Sequence, residues 1–150
     1  DNPKVPNLDK WYSYTATYTG LHNRGFHSYA LAKMETDKET FLAKYAYTAN
    51  YTFVFNEYSF PMKKETYYVP NSWIIDAVNL SVESKFQWIV TSSSLDACWT
   101  HCGSIDHDPN RYNKSVRRKV ESTVNGRKIL QDTNNSTVDF EADATPSLKE

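Results

Sequence analysis

Residues 41–55 read FLAKYAYTANYTFVF, with an apolar or aromatic side chain at every odd position. Successive side chains of a β-strand point to opposite faces, so the alternation predicts one aromatic wall and one more polar wall. A strand this long exceeds the usual length, and we expect a bend, bulge or turn near Thr48–Asn50. Because the parity is kept throughout, a bulged or continuous strand, or an odd-length loop, is favoured over a two-residue turn. The aromatic wall is predicted to face inward.

The polar wall contains Asn50, which begins one of five N-glycosylation sequons. An asparagine that carries a glycan must face water, so the periodicity and the sequon assign the same face to solvent. A second alternation over residues 78–90 places another sequon asparagine, Asn79, on its outward face. Because the chain begins at Asp1 rather than methionine, we expect a processed form or a fragment. We therefore predict a secreted, extracellular glycoprotein with glycan acceptors at Asn50, Asn79, Asn113 and Asn135.

Length and charge limit the classes of protein to consider. The chain has 150 residues and a formal net charge of −1, which predicts a single domain over 1–150 with an extended lead-in at 1–8 and a tail at 141–150. We predict no nucleic-acid partner, and we interpret Arg117-Arg118-Lys119 as a solvated helix face rather than a phosphate site. No apolar run approaches the ~20 residues that a membrane helix needs.

The two cysteines, Cys98 and Cys102, leave the disulfide pairing undecided. In an extended strand, residues four apart lie roughly 13 Å apart, which a disulfide cannot span. They can pair only if the chain turns locally. Otherwise they are small buried hydrophobic residues, or one of them joins a second chain.

Short alternating segments separated by polar turns predict an all-β fold, either a barrel or a sandwich. The exception begins at Asp108-Pro109, an N-cap followed by proline at the first helical position. Apolar residues then recur every fourth position until Gly126, which predicts one α-helix near 109–125. The alternative makes Asn125-Gly126 a type I′ hairpin turn, which would pair Val124 with Arg127 and Ser122 with Ile129. The helix is favoured because that pairing mixes apolar and polar side chains on each face.

Residues 101–108 contain His101, Cys102, Asp106, His107 and Asp108, the densest group of chemically active side chains. Their spacing matches none of the common zinc patterns, so we favour a loop in which Asp108 caps the following helix. Phosphate loops, nucleophile elbows and HExxH motifs do not occur in the sequence. We predict that the protein is not an enzyme and has no metal or cofactor, with a hydrolase that uses His101 or His107 as the least favoured hypothesis.

Several segments together resemble the lipocalin family. They are Lys10-Trp11-Tyr12, the β-meander after it, Trp88-Ile89-Val90, the run Ala97–Cys102 and the helix predicted at 109–125. The run Ala97–Cys102 is similar to the invertebrate pigment-binding (crustacyanin-like) branch. The resemblance implies an antiparallel up-and-down β-barrel whose base is closed by Trp11, with Arg111 as the nearest candidate for the arginine that stacks on it.

The leading functional hypothesis is a non-enzymatic carrier of a small hydrophobic molecule such as a fatty acid, retinoid, carotenoid or bilin. Tyrosine combines a large apolar ring with a polar hydroxyl, which suits a cavity that must both bind and orient a ligand. The alternative is a structural, storage or adhesion glycoprotein module with a filled β-sandwich core. A homo- or hetero-oligomer is compatible with either hypothesis. The predicted ligand-binding residues are Tyr45, Tyr47, Tyr51, Phe53, Phe55, Phe86 and Trp88.

Overall fold

The computed structural model describes residue 11, residues 24–86 and residues 91–147. Within these ranges the all-β prediction is confirmed, because eight strands form four two-stranded antiparallel sheets. The predicted lead-in at 1–8 and the site residue Trp88 lie outside the described residues. The strands are β1 (Arg24–Ala32), β2 (Ala46–Phe55), β3 (Tyr58–Tyr67), β4 (Ile74–Ser81), β5 (Ser115–Arg118), β6 (Val120–Val124), β7 (Arg127–Leu130) and β8 (Phe140–Ala144), and the helices are α1 (Lys38–Lys44) and α2 (Ser136–Asp139).

The chain divides into two compact units. From the described residues, the first unit contains Trp11 and Met34–Pro70, and therefore α1 and the β2–β3 hairpin. The second contains residues 24–33, 71–86 and 91–147, and therefore the β1–β4, β5–β8 and β6–β7 sheets. Each unit is described by itself below.

The aromatic ladder begins with a helix, so the prediction of a strand over 41–44 is wrong. Asp37 caps α1 by accepting hydrogen bonds from the backbone N–H and the hydroxyl of Thr40, at 2.8 and 2.7 Å. The helix contains good helix formers, including Leu42 and Lys44. Phe41 and Tyr45 are four residues apart, a spacing that fits one face of a helix as well as one face of a strand. Alternation alone therefore could not distinguish the two structures.

From Ala46 onward the ladder is the continuous strand that parity favours. β2 pairs with β3 in unbroken register, from Ala46 opposite Tyr67 to Phe55 opposite Tyr58. The bend predicted near Thr48–Asn50 is absent, because the strand starts five residues later than predicted and so has an ordinary length. The turn at Asn56-Glu57 uses Asn56 at φ 53°, a left-handed conformation that asparagine tolerates.

In the second unit, β4 lies between two neighbours. β1 pairs with it on one side, and a parallel bridge joins Leu80 to Thr100 on the other. The prediction that Asn79 faces solvent is wrong, since its exposed fraction is only 4%. The reason is that the segment 96–98 and Ser136 pack over this residue and form hydrogen bonds with it. The apolar core of this unit contains Trp73, Ala77, Leu80, Val82, Cys102 and Ala144.

The prediction of an α-helix over 109–125 is wrong. Asp108 does act as an N-cap and accepts a hydrogen bond from the Asn110 N–H at 2.9 Å, but the 3-10 helix that follows ends at Arg111. Ser115–Arg118 and Val120–Val124 then form β5 and β6. Asn125 and Gly126 have φ of 50° and 78°, and Val124 lies opposite Arg127, as the hairpin alternative requires.

The segment beyond residue 140 is also more ordered than predicted. A tail was expected at 141–150, yet Phe140–Ala144 forms β8, which pairs antiparallel with β5. Ala144 is buried. β5 and β8 are short strands, and each is stabilised by pairing with the other. Because they are far apart in sequence, the local pattern of neither strand reveals its partner.

Candidate functional site

The β2–β3 hairpin separates aromatic from polar side chains, as the parity of β2 predicts. Residues directly opposite each other in an antiparallel pair project to the same face. The register therefore places all odd residues of β2 with all even residues of β3. We call this side the aromatic face, which consists of Tyr47, Ala49, Tyr51, Phe53, Phe55, Tyr58, Phe60, Met62, Lys64 and Thr66.

The aromatic face is accessible to solvent, so the prediction that it points inward is wrong. Its seven large side chains, from Tyr47 to Met62, have exposed fractions between 41% and 68%. Monomeric soluble proteins rarely leave large contiguous apolar patches exposed unless the patch binds something. The corresponding side chains of β2 were found from sequence, whereas Tyr58, Phe60 and Met62 of β3 were missed. Their alternation is readable, but Pro61 interrupts the apparent strand, since proline is tolerated mainly at sheet edges.

The core of the first unit lies at the base of the hairpin rather than behind the aromatic face. Phe41 of α1 is 2% exposed and stacks against Tyr45 and Tyr67, with ring centroids 5.3 and 5.8 Å away. The ring of Trp11, predicted to close a barrel, lies 5.8 Å from the same phenylalanine. Tyr45 also contacts Tyr68 at 5.2 Å, so it belongs to this cluster and not to the predicted ligand wall.

Toward the turn, the rings of the aromatic face form a ladder. Phe53 and Phe60 are opposite each other with centroids 6.3 Å apart, and Tyr58 lies 6.4 Å from Phe60. A cross-strand aromatic pair such as Phe53–Phe60 stabilises a sheet by about 0.2–1 kcal/mol. An open depression of about 440 Å³ lies midway along the hairpin, lined mainly by residues of the polar face, and Tyr51 is the only predicted ligand-binding residue among those that line it. The hairpin thus presents a surface of rings.

The opposite side of the hairpin carries Asn50. Asn50 is exposed and projects to the same face as Thr48 and Thr52. The prediction that the sequon and the aromatic rings occupy different faces is therefore confirmed. Asn113 is also exposed, whereas Asn135 is half-buried and its side chain caps α2. Glycosylation at these positions stays a prediction.

The buried Asn79 is unsuited to carry a glycan in this fold. Its amide nitrogen donates hydrogen bonds to the carbonyl oxygens of Asp96 and Cys98, each at 3.1 Å. Its carbonyl oxygen accepts one from the hydroxyl of Ser28 at 2.5 Å. The residue therefore joins β1 and β4 to the segment that follows Asp96.

Two other predicted site residues, Phe86 and Arg111, have their contacts within the second unit. Phe86 belongs to the second unit, where its ring lies 4.8 Å from that of Trp99. Arg111 stacks on Tyr112 at 4.5 Å and donates a hydrogen bond to the backbone oxygen of Asp108 at 2.6 Å. The structure therefore brings together Tyr47, Tyr51, Phe53 and Phe55 from the predicted ligand wall, whereas Phe86 belongs to the other unit.

Arg118 is a structural residue, so its interpretation as part of a solvated helix face is wrong. The side chain is 11% exposed and donates to both carboxylate oxygens of Asp76, at 2.5 and 2.6 Å. It also donates to the backbone oxygen of Gln131 at 2.7 Å and lies over the ring of Phe140 at 4.4 Å. Through these contacts, the guanidinium of Arg118 connects β5 with β4, with β8 and with the chain after β7.

Two buried carboxylates stabilise loops of the second unit. Asp139 accepts hydrogen bonds from the backbone N–H groups of Thr133 and Asn135. Burial raises the pKa of Asp139, but the hydrogen bonds outweigh burial, and the pKa is lower than the ordinary value for aspartate. Asp96 accepts from the N–H and hydroxyl of Ser136 and from the N–H of Asn79. Burial raises the pKa of Asp96, and these hydrogen bonds oppose the rise.

In the segment 101–108, His107 Nδ1 lies 3.0 Å from Asp106 Oδ1, and His101 Nδ1 lies 3.7 Å from Asp143 Oδ2. Cys98 and Cys102 carry thiols rather than a disulfide, and burial, with Asp143 nearby, raises the pKa of Cys102 to about 11. A thiol of this pKa is a poor nucleophile at neutral pH. Asp108 caps the loop through Ser104 and Asn110, as favoured from sequence. Across the described ranges, no three His, Cys, Asp or Glu side chains are grouped as metal ligands.

The chain belongs to the family described as protein of unknown function (DUF4876), whose model matches residues 1–147. No curated protein and no solved structure matches it. Within the described residues, no helix has both the length and the apolar character required to span a membrane.

Proposed function

We propose that this chain is a non-enzymatic recognition module that binds a partner through the aromatic face of its β2–β3 hairpin. The observation that carries the proposal is the exposure of seven large apolar side chains on one face of one hairpin. Aromatic side chains are enriched at interfaces because they bury a large area at a small cost in conformational entropy. The structural, storage or adhesion module considered from sequence has its aromatic residues in a filled β-sandwich core, whereas this module presents them on its surface.

In this proposal the module is secreted and N-glycosylated, with Asn50 as the preferred acceptor. Asn50 is exposed on the polar face, so a glycan attached there would project away from the aromatic rings. The glycan would keep the polar face soluble and leave the aromatic face free to bind.

A lipocalin-like carrier is the competing proposal. It requires the aromatic residues to surround a ligand within a closed barrel. Tyr47, Tyr51, Phe53 and Phe55 instead share one exposed face of a two-stranded sheet, which favours contact with another surface over enclosure of a small molecule. Native mass spectrometry of the purified chain separates the two proposals, because a carrier should retain a small hydrophobic molecule.

The test is photo-crosslinking of the full chain in the cells that make it. p-Benzoylphenylalanine replaces Phe53 in one variant and Val54 in another. The two positions are adjacent, they are 50% and 61% exposed, and they project to opposite faces of the same strand. A defined crosslinked product at position 53 and none at position 54 is the expected result. Equal products at both positions, or none at position 53, would contradict the proposal.

A further inference from the structure

The aromatic face is almost entirely apolar and carries a single charge. Lys64 is the only charged residue on it, and no acidic residue shares the face, since Glu65 projects to the polar side. Two such faces can therefore meet without bringing carboxylates together. An isologous twofold interface brings the same patch of both copies together, so the patch must not repel itself.

The position of the charge determines how two copies can meet. Lys64 lies toward the base of the hairpin, and the apolar pairs Tyr51–Met62, Phe53–Phe60 and Phe55–Tyr58 continue from there to the turn. A twofold axis through the central pair, Phe53–Phe60, places each Tyr51–Met62 pair on the Phe55–Tyr58 pair of the second copy. Each Lys64 then lies beyond the turn of the other hairpin. The two ammonium groups are roughly 27 Å apart along the strands, well beyond the Debye length.

The exposed apolar area of the aromatic face is sufficient for a reversible dimer. Six side chains of about 200 Å² each, roughly half exposed, supply about 600 Å² per copy. Two copies then bury about 1,200 Å², the lower end of the range for specific interfaces. Sheets that pack face to face lie about 10 Å apart, which suits interleaved rings.

We infer that the aromatic face of the β2–β3 hairpin binds the same face of a second copy of this chain, with its twofold axis at Phe53–Phe60. The inference rests on the proposed function and names the partner for it. The interface has an aromatic centre that excludes water and a polar rim that includes Lys64. The chain is accordingly a symmetric assembly module.

The experiment is sedimentation velocity of the purified full chain from about 1 to about 100 µM, a range that covers dissociation constants typical of a small interface. We compare the unmodified chain with Phe53→Glu and with Val54→Glu, which adds the same charge to the polar face. The unmodified chain and Val54→Glu should dimerise with similar dissociation constants. Phe53→Glu should dissociate about 30-fold more readily or more, because it places two carboxylates at the centre of the interface. Far-UV circular dichroism checks that both variants keep their strands, and Phe60→Glu replaces Phe53→Glu if the latter does not.

The outcomes distinguish the inference from the proposed function. A chain that stays monomeric at every concentration, or a dimer that Val54→Glu disrupts as strongly as Phe53→Glu, overturns the twofold interface. The crosslinking variant at position 53 then decides the wider proposal. A crosslink to a different protein leaves the recognition module standing without the dimer, and a product of twice the chain mass supports both. No product at position 53 overturns both.

Discussion

Replacement of Asp139 by asparagine should destabilise the second unit strongly. Its Oδ2 accepts from the N–H groups of Thr133 and Asn135, at 2.8 and 3.1 Å. Its Oδ1 accepts from the Thr133 hydroxyl at 2.8 Å and from the Gln131 amide nitrogen at 3.3 Å. An asparagine has only one acceptor oxygen. If that oxygen takes the place of Oδ2, the amide N–H groups face the Gln131 amide nitrogen, which is itself a donor.

The magnitude follows from the number of hydrogen bonds affected. Weakening two charge-assisted backbone bonds to neutral ones costs about 1 kcal/mol each, and losing the bond from Gln131 costs about 1 kcal/mol more. Asp139→Asn should therefore lower the free energy of unfolding by about 3 kcal/mol. The matched control is Asp132→Asn in the same loop. This carboxylate is half exposed and lies 3.5 Å from the Arg118 guanidinium, so its loss should cost less than about 1 kcal/mol.

Urea unfolding, followed by both tryptophan fluorescence and circular dichroism, measures these differences in the free energy of unfolding. The comparison requires that the variants share the same m value, the slope of that free energy against urea concentration. The folded-state pKa of Asp139 is lower than its ordinary value, so the stability it contributes is present above about pH 4 and is lost as the pH falls through the folded pKa. The difference between the unmodified chain and Asp139→Asn should shrink on acidification. Asp96 should behave oppositely, because burial raises its pKa and its ionisation costs stability as the pH rises. An Asp139→Asn variant no less stable than Asp132→Asn would refute the reasoning.

Further predictions concern two glycines and two thiols. Gly126→Ala should cost about 1 kcal/mol, because φ is 78° but a new Cβ would meet nothing within 4 Å. Gly103→Ala should cost more, since at φ 82° its Cβ would lie 2.8 Å from the Cβ of Asp108; thermal unfolding of both variants measures the contrast, and equal losses would contradict it. Iodoacetamide at pH 8 should label the half-buried Cys98 faster than Cys102, whose pKa is about 11, with the two rates converging in urea. Mass spectrometry of the labelled peptides measures both rates. Faster labelling of Cys102 than of Cys98 in the folded chain would contradict the burial of Cys102.

The sequence predicts local structure well where one signal dominates. The alternation of β2 correctly separates the rings from Asn50, because side-chain direction in a strand depends on the backbone alone. Asp108 and Pro109 correctly indicate an N-cap, since that signal involves only the next few residues. The helix at Lys38–Lys44 was missed because Phe41 and Tyr45 satisfy both periodicities.

Signals that depend on distant partners were misjudged. Asn125-Gly126 was read as a helix end because the paired strands beside it mix polar and apolar side chains. Mixed faces are acceptable in a hairpin that is exposed on both sides, as β6 and β7 are. Arg118 was assigned to solvent because its acceptor Asp76 is 42 positions away in sequence.

By itself, the sequence determined that the chain is all-β and that the residues of β2 divide into an aromatic and a polar set. Both follow from backbone geometry, which acts between neighbouring residues. Only the tertiary structure decided which faces are buried: Asn79 lies inside because the segment 96–98 packs over it, and the rings around Phe53 lie outside because the core of their unit is at Phe41. Burial depends on which other elements pack against a face, and the pattern along a single strand does not contain that information.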